Sequence, residues 1–292
     1  MAYLIDSLPA LGTAWWVEVF SPLSVERAEE ITKVLHDTIT TFEARYSRFR
    51  ADSLVAMLNA TGILKSPDKE TASLLQYGRS LYTRTSGHFN LLVGGVLSAR
   101  GYTLLPHSAK FVELTILPDP TTDLIIADDE IRLLNGQVDL GGFGKGYLVD
   151  VLANLLQEYE VKDFLINGGG DIYGTSDNSQ PLTIYLEHPT VAGSFIGTTT
   201  LQNEGFAASS PYKRRWKQGE VERNHIVGDV PDCATFVKAK KAVDADAFAT
   251  AGLLFSEEEL HKALQTENIT VARYFPTTTR LDRYNFDIRP ID

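Results

Sequence analysis

The alternation of apolar and polar positions along the chain predicts amphipathic helices separated by groups of short strands. Between Ala28 and Tyr46, apolar residues recur every three or four positions, which is the spacing of one buried helix face. Ser256 and Glu259 have the spacing of a capping box, so a helix is expected to begin there. Further helices are predicted within residues 46–62 and over residues 69–85, 148–159 and 244–255.

Short segments rich in β-branched and aromatic residues predict strands. Between residues 111 and 140 they form a meander that contains the hairpin signal Asn135-Gly136, whereas residues 203–233 are polar and are expected to be irregular. Because strands mostly adjoin strands, we predict an α+β fold with largely antiparallel sheets packed with helices, in a single domain over residues 1–292. Strands are predicted at residues 12–20, 110–117, 123–127, 130–134, 137–140, 163–167, 182–189, 194–202 and 235–239. The last stretch of the chain is expected to end in strands or extended chain.

Composition narrows the classes of function. The chain has 292 residues, of which 43% are hydrophobic, and a formal net charge of −11. An acidic surface argues against nucleic acid and anionic membranes as main partners. The single cysteine, Cys233, excludes an intramolecular disulfide and a cysteine-based metal site. The first twenty residues have no basic leader region, lipid-attachment cysteine or membrane-spanning apolar run. We therefore expect a cytoplasmic protein without membrane insertion, or an exported one if a leader was trimmed.

Residues 138–150, VDLGGFGKGYLVD, are the first candidate for chemistry. Four glycines surround Lys145, and glycines let backbone groups approach a ligand closely. The helical pattern that follows places this loop at a helix N-terminus, which favours phosphate. The segment departs from the P-loop at Gly146 and from the dinucleotide fingerprint at Tyr147. Two interpretations remain: a phosphate-holding turn, or a tight strand-to-helix connection with an exposed lysine.

Asp246 and Thr250 are four residues apart on a predicted helix and so share one face. A carboxylate and a hydroxyl are hard oxygen ligands of the kind that Mg²⁺ prefers. The alternative is structural: Asp246 would interact with the helix dipole and Thr250 would hydrogen-bond to its own helix.

Three loop segments add further candidates. His225 lies in an irregular segment and would suit a general base near neutral pH, although it would equally suit a polar loop. Residues 209–216 combine hydroxyl, cationic and aromatic side chains that would cover a phosphate, stack on a ring or form a surface turn. In residues 86–90, Phe89 is a candidate core residue, and Asn90 would read a base or hold the turn.

Nine segments, taken in order, resemble the FAD:protein FMN transferases of the ApbE family. The resemblance extends over nearly the whole chain. It comprises LGT (11–13), YSRFRADSLVAMLN (46–59), SGHFN (86–90), VDLGGFGKGYLVD (138–150), INGGGDIYG (166–174), LEHP (186–189), ASSPYKRRW (208–216), HI (225–226) and ADAFATAG (245–252).

The resemblance implies an enzyme that binds FAD and Mg²⁺ and splits the pyrophosphate. It would move the FMN half onto a threonine or serine hydroxyl of an acceptor flavoprotein and release AMP. By position, His225, Lys145 and Asp246 resemble catalytic residues, His225 as the base on the acceptor hydroxyl. The magnesium ligands would be Asp246, Thr250 and the carbonyl of Gly142. The FAD contacts would be Leu11, Phe49, His88, Phe89, Asn90, Asp139, Lys145 and Ile226.

The chain departs from the family pattern at three positions. Asn90 and Gly228 stand where aspartate is usual, and Leu11 stands where methionine is common. These departures bear on nucleotide contacts and on the choice of acceptor more than on the metal. Two other interpretations remain: an FAD pyrophosphatase that yields FMN and AMP, and a flavin-binding module without catalytic activity.

Overall fold

The structure is a computed structural model that describes residues 2–103, 117–177 and 180–291. The chain forms two compact units. The first consists of Met1–Thr41, Phe143–Lys213 and Pro231–Asp292, and the second of Phe42–Gly142 and Arg214–Val230. A single domain over residues 1–292 stays a prediction.

The described residues contain helices and strands in mixed order. The helices are α1 (Val25–Tyr46), α2 (Leu54–Thr61), α3 (Lys69–Arg84), α4 (Gly94–Ala99), α5 (Pro120–Asp123), α6 (Gly144–Glu158), α7 (Ala242–Gly252) and α8 (Glu257–Thr266). The strands are β1 (Ala2–Ala10), β2 (Thr13–Val19), β3 (Ile63–Lys65), β4 (Leu124–Ile126), β5 (Glu130–Leu133), β6 (Phe164–Gly168), β7 (Asp171–Thr175), β8 (Leu182–Glu187), β9 (Phe195–Leu201), β10 (Glu204–Ser209), β11 (Arg215–Gln218), β12 (Val221–Asn224), β13 (Ala234–Ala239), β14 (Ile269–Phe275) and β15 (Arg280–Tyr284).

The first unit is built on an eight-stranded sheet in the order β1-β2-β6-β7-β10-β13-β14-β15. All neighbouring strands are antiparallel. Helix α6 packs on β6 and β7, and helix α7 packs on β10, β13 and α6. Small residues allow the close approach of α7 to the sheet, because a Cβ on Gly205 would lie 2.4 Å from the Cα of Ala242. The hairpin β8–β9 adds Leu186 and Leu201 to a separate apolar cluster with Phe236.

The second unit has a three-stranded antiparallel sheet in the order β3-β5-β4 and a two-stranded hairpin, β11–β12. Ser53 caps α2 by accepting the N–H of Ala56 at 3.0 Å, and Asp68 caps α3 by accepting the N–H of Thr71 at 2.8 Å. Its apolar core is fully buried and contains Leu58, Leu74, Leu81, Leu91 and Leu92.

Most sequence predictions of secondary structure are confirmed. The fold is α+β with largely antiparallel sheets, as predicted. Helix α8 begins with the capping box of Ser256 and Glu259, and strand β2 lies within residues 12–20. The predicted strand at residues 110–117 lies outside the described residues apart from its last position. No helix in the described part of the chain is both long and apolar enough to cross a membrane.

Two predictions are wrong. Residues 203–233 are not irregular but contain β10, β11 and β12. The segment 137–140 is not a strand, and its Gln137 makes only one bridge, to Val93. The side chain of Asn59 explains the second error, because its amide bonds both the N–H and the carbonyl of Val138, at 2.7 and 2.9 Å. These groups are therefore satisfied without a neighbouring strand.

Candidate active site

The glycine loop leads into a helix, as predicted. Helix α6 begins at Gly144, so Lys145 lies in its first turn. Its ammonium Nζ lies 2.6 Å from Oδ2 of Asp171 and 3.6 Å from Oδ2 of Asp246. Only 13% of the lysine side chain is exposed. The alternative of an exposed lysine is therefore wrong, whereas phosphate binding by this loop stays a prediction.

Asp171 is the main residue that the sequence analysis missed. It is the first residue of β7 and follows Gly169 and Gly170, which both have positive φ angles, +74° and +102°. Oδ1 of Asn167 accepts the N–H of Gly170 at 2.8 Å and so holds this turn. An aspartate directly after a glycine turn is visible in the sequence, but its partner Lys145 is 26 residues away and becomes apparent only in the fold.

Asp246 and Thr250 lie on helix α7 of the same unit. The carboxylate of Asp246 is buried, and its Oδ2 accepts the N–H of Gly146 at 3.1 Å. The hydroxyl of Thr250 lies 3.5 Å from the hydroxyl of Ser209 at the end of β10. Asp246 is in the second turn of α7, and among the described residues Thr250 makes no hydrogen bond to a carbonyl of its own helix. Neither side chain therefore has the purely local role of the structural alternative.

Contact between α6 and α7 depends on Gly146. A Cβ at this position would lie 2.5 Å from the carbonyl oxygen of Ala242 and 2.8 Å from Cβ of Asp246. No flexible side-chain end is available to move away, since one of these atoms is backbone and the other is the first atom of a side chain. The glycine thus allows the close approach of α6 to α7 at Asp246.

Gly146→Ala is expected to lower the free energy of unfolding by about 1–3 kcal/mol, because overpacking forces a backbone shift. Gly95→Ala is the matched helical control, since its new Cβ would meet nothing closer than 3.9 Å. That change is expected to be neutral or to stabilise by about 0.5–1 kcal/mol. Denaturant unfolding of both variants provides the measurement, and equal effects would contradict the close contact.

Asp150 on α6 accepts the N–H groups of Ala242 and Val243, at 2.8 and 3.0 Å. These groups belong to the first turn of α7, where backbone donors lack partners within the helix. Burial of the carboxyl group raises its pKa to about 6, despite the two hydrogen bonds, which act in the opposite direction. Asp150 thus joins the two helices that carry Lys145 and Asp246.

The raised pKa of Asp150 predicts a pH dependence of stability. Its contribution is fully present below the unfolded pKa of 3.8 and is lost as the pH rises through about 6. Relative to Asp150→Asn, the wild type is expected to lose about 2–3 kcal/mol of unfolding free energy between about pH 4 and pH 7. Unfolding curves of both proteins across this range provide the measurement, and parallel pH profiles would contradict the prediction.

In the second unit, Asp139 forms a buried ion pair between its Oδ2 and Nε of Arg48. Its Oδ1 accepts the N–H of Gly141 at 2.6 Å, which closes the first turn of the glycine loop. Arg48 also donates to Oγ of Ser98 at 3.1 Å and to the carbonyl of Tyr102 at 2.7 Å. Both oxygens of Asp139 are thus engaged in shaping the loop.

Arg48 also packs against two aromatic rings. Its guanidinium carbon is 4.4 Å from the ring centre of Phe49 and 5.3 Å from that of Tyr102. Tyr102 stacks on Trp216 of β11 at 5.1 Å, and the indole N–H of Trp216 donates to the carbonyl of Arg100 at 2.6 Å. Trp216, one of the two aromatic residues of segment 209–216, therefore stacks on a ring of the protein itself.

The segment 86–90 forms a turn in the second unit. Phe89 is buried, as the sequence suggested, and a Cβ on Gly142 would lie 2.8 Å from its ring. The amide of Asn90 donates to the carbonyl of Pro118 and accepts the N–H of Leu92, both at 2.8 Å. A carboxylate could not donate the first of these bonds. The asparagine therefore holds the turn.

The remaining predicted site residues lie in loops, Leu11 in the first unit and His225 and Ile226 in the second. Leu11 and Gly12 form the two-residue turn between β1 and β2, with φ angles of +54° and +70°. In the second unit, His225 and Ile226 follow β12 directly. Ile226 is buried, and its N–H donates to Oδ1 of Asn224 at 2.9 Å.

The donor set on α7 fits a magnesium ion. No group of three or more His, Cys, Asp or Glu side chains within residues 2–103, 117–177 and 180–291 is arranged to hold a metal. Mg²⁺ needs no such group, because it keeps waters and is completed by substrate phosphates. Asp246 and Thr250 supply hard oxygens: Oδ2 of Asp246 accepts the N–H of Gly146, and the Thr250 hydroxyl lies 3.5 Å from that of Ser209. Two carboxylates, Asp171 and Asp246, face the single ammonium of Lys145, which leaves negative charge for a cation.

Comparisons with known proteins identify the family of the chain. The sequence profile of the ApbE family matches residues 11–275. A curated relative from Rhodobacter capsulatus, named FAD:protein FMN transferase, is 29% identical over 66% of this chain, and the chain spans 40% of that relative. A relative of the same name from Vibrio cholerae is 19% identical, with coverage of 94% of this chain and 88% of its own.

Solved structures share the fold. The ApbE protein of Thermotoga maritima superposes with a TM-score of 0.79 at 20% identity, with coverage of 97% of both chains. The flavin transferase ApbE of Vibrio cholerae gives 0.74 at 18% identity, with coverage of 97% of this chain and 96% of its own. The similar curated proteins are enzymes, and the profile match covers most of this chain. The chain is therefore an enzyme of the ApbE family.

Proposed function

We propose that this protein transfers the FMN moiety of FAD, in a Mg²⁺-dependent reaction, to a threonine or serine hydroxyl of an acceptor flavoprotein and releases AMP. The observation that carries the proposal is the cluster of Lys145, Asp171, Asp246 and Thr250, in which both carboxylates are buried. It combines a cation for a pyrophosphate with hard oxygen ligands for a divalent metal. The names of the similar curated proteins support the choice of FAD as the substrate.

The reaction exchanges the phosphoanhydride bond of the pyrophosphate for a phosphate ester bond to the acceptor. The acceptor hydroxyl oxygen forms a bond to the phosphorus of the FMN half while the bond from that phosphorus to the bridging oxygen breaks. AMP leaves with the bridging oxygen, and the hydroxyl proton passes to a base. In this proposal His225 is that base, because a histidine accepts a proton near neutral pH.

The pyrophosphate carries negative charge that must be offset before an oxygen nucleophile can approach. Lys145 provides a fixed positive charge, which the carboxylates of Asp171 and Asp246 hold on the first turn of α6. Asp246, Thr250 and the carbonyl of Gly142 would hold the magnesium ion. When bound, the ion supplies further charge neutralisation at the phosphate oxygens.

The remaining predicted FAD contacts are Leu11, Phe49, Ile226 and the 88–90 turn. Phe49 offers an aromatic face that Arg48 supports from one side at 4.4 Å. Asp139 and Asn90 would act by shaping the glycine loop and the 88–90 turn, because their polar atoms have backbone or Arg48 partners.

Incubation of the purified protein with FAD and Mg²⁺ tests the proposal, with AMP and FMN followed in the presence and absence of an acceptor flavoprotein. AMP together with flavin fixed covalently to the acceptor is the expected result. AMP with only free FMN would indicate an FAD pyrophosphatase for the acceptor supplied. FAD binding without AMP would indicate a flavin-binding module.

A further inference from the structure

Asp171 lies closer to Lys145 than Asp246 does. The distance from the ammonium Nζ is 2.6 Å to Oδ2 of Asp171 and 3.6 Å to Oδ2 of Asp246. The side chains of Asp171 and Asp246 are only 6% and 7% exposed. The ammonium of Lys145 can pair with either of two buried carboxylates, and here it lies closer to Asp171.

Asp171 is held on a rigid part of the fold. It pairs with Gly168 across the β6–β7 hairpin and directly follows the turn that Asn167 closes. This turn packs closely against the start of β2, because a Cβ on Gly169 would clash with Oγ1 of Thr13. Lys145, in contrast, reaches the pair through a flexible four-carbon stem. The aspartate therefore fixes the position of the lysine, rather than the reverse.

We propose that Asp171 is the positioning residue for Lys145 and holds its ammonium away from Asp246, where the ammonium meets the pyrophosphate of FAD. This inference rests on the proposed function. Without Asp171, Asp246 is the other carboxylate that the described residues place near the ammonium, at 3.6 Å. The ammonium would then leave the pyrophosphate and would also occupy a carboxylate that the metal needs.

Charge alone predicts the opposite result, and this makes the proposal testable. Asp171 is an anion close to an anionic substrate, so its removal would tighten FAD binding if it acted only through its charge. A positioning residue has the reverse effect, because its removal displaces the lysine from the substrate. The sign of the change in FAD affinity thus separates the two roles.

The experiment measures FAD binding to the full-length protein by the quenching of flavin fluorescence, with EDTA present so that no turnover occurs. Asp171→Asn is expected to weaken FAD binding by about 10-fold, as the loss of a charge-assisted hydrogen bond would. Lys145→Met is expected to weaken it by a similar factor, and the double variant no further. Tighter or unchanged binding in Asp171→Asn would overturn the proposal.

Asp177→Asn is the matched control. Asp177 lies just after the same strand β7 and also pairs with a lysine, Lys162, at 3.4 Å, but both of those side chains are largely exposed. This variant is expected to bind FAD like the wild type.

If Asp171→Asn fails to fold, the double variant is tested in its place, since it removes the lysine together with its aspartate partner. Tighter FAD binding by the double variant than by Lys145→Met would show an independent charge effect and overturn the proposal.

The same titration distinguishes this inference from the proposed function. A wild-type protein that binds FAD neither with EDTA nor with Mg²⁺ would overturn both. A wild-type protein that binds FAD but transfers no FMN would overturn the transferase alone, and the comparison of binding affinities would still decide the role of Asp171. In active protein, Asp171→Asn is expected to lower the rate of AMP release by about 10- to 100-fold through misplacement of Lys145.

Discussion

Asp246→Ala is expected to lower the rate of AMP release from FAD by about 100-fold or more, the scale of loss when one charge-stabilising group leaves an active site. The buried carboxylate of Asp246 holds the N–H of Gly146 and lies 3.6 Å from the ammonium of Lys145. It is also one of the two side chains proposed to bind Mg²⁺. Its removal therefore takes away a metal ligand and disturbs the start of α6 at once.

The measurement is AMP release at saturating FAD across a range of Mg²⁺ concentrations. Asp244→Ala is the matched control, because it removes an aspartate from the first turn of the same helix. Thr250→Val is expected to reduce the rate less, since it removes a neutral ligand and keeps the carboxylate. A rate in Asp246→Ala equal to that of the wild type at every Mg²⁺ concentration would remove Asp246 from the metal site.

Local patterns were sufficient to predict most of the elements that carry the candidate site. The glycines and the helical spacing after residue 144 predicted α6, and the small-residue pattern predicted α7. The spacing of Asp246 and Thr250 placed both side chains on one helix face before any tertiary information. These features depend on residues within one or two turns of each other, so periodicity reports them directly.

Strand β10 was missed because its stability comes from tertiary packing. Its sequence, EGFAAS, is rich in small residues with low strand propensity. Gly205 is required there because any side chain at this position would clash with the backbone of Ala242 at the start of α7. The neighbours of the strand are β7 and β13, which are distant in sequence. No local pattern contains that information.

The ion pairs of the candidate site were missed for the same reason. Lys145 and Asp171 are separated by most of α6 and by strand β6, and Arg48 is far from Asp139 in sequence. The sequence indicated that Lys145 would meet an anion, but it did not show that two carboxylates of the protein flank it. Buried charges need partners, yet the identity of the partner depends on the fold.

Asp139→Asn is expected to lower the free energy of unfolding by about 3–5 kcal/mol, the usual cost of leaving a buried charge without its partner. The side chains of Arg48 and Asp139 are only 8% and 9% exposed, so water does not replace the lost carboxylate. Asparagine keeps an oxygen for the N–H of Gly141, which isolates the effect of charge from that of the turn.

The double variant Arg48→Met with Asp139→Asn identifies the source of this loss. It removes the stranded guanidinium along with its partner, so it is expected to be more stable than Asp139→Asn alone, although Ser98 and Tyr102 lose a donor. Denaturant unfolding of the wild type, Asp139→Asn, Arg48→Met and the double variant gives a double-mutant cycle. Additive losses would mean that Asp139 stabilises the glycine loop independently of Arg48. A recovery in the double variant would show that the loss in Asp139→Asn comes from the guanidinium of Arg48, left buried without the carboxylate that pairs with it across a long separation in sequence.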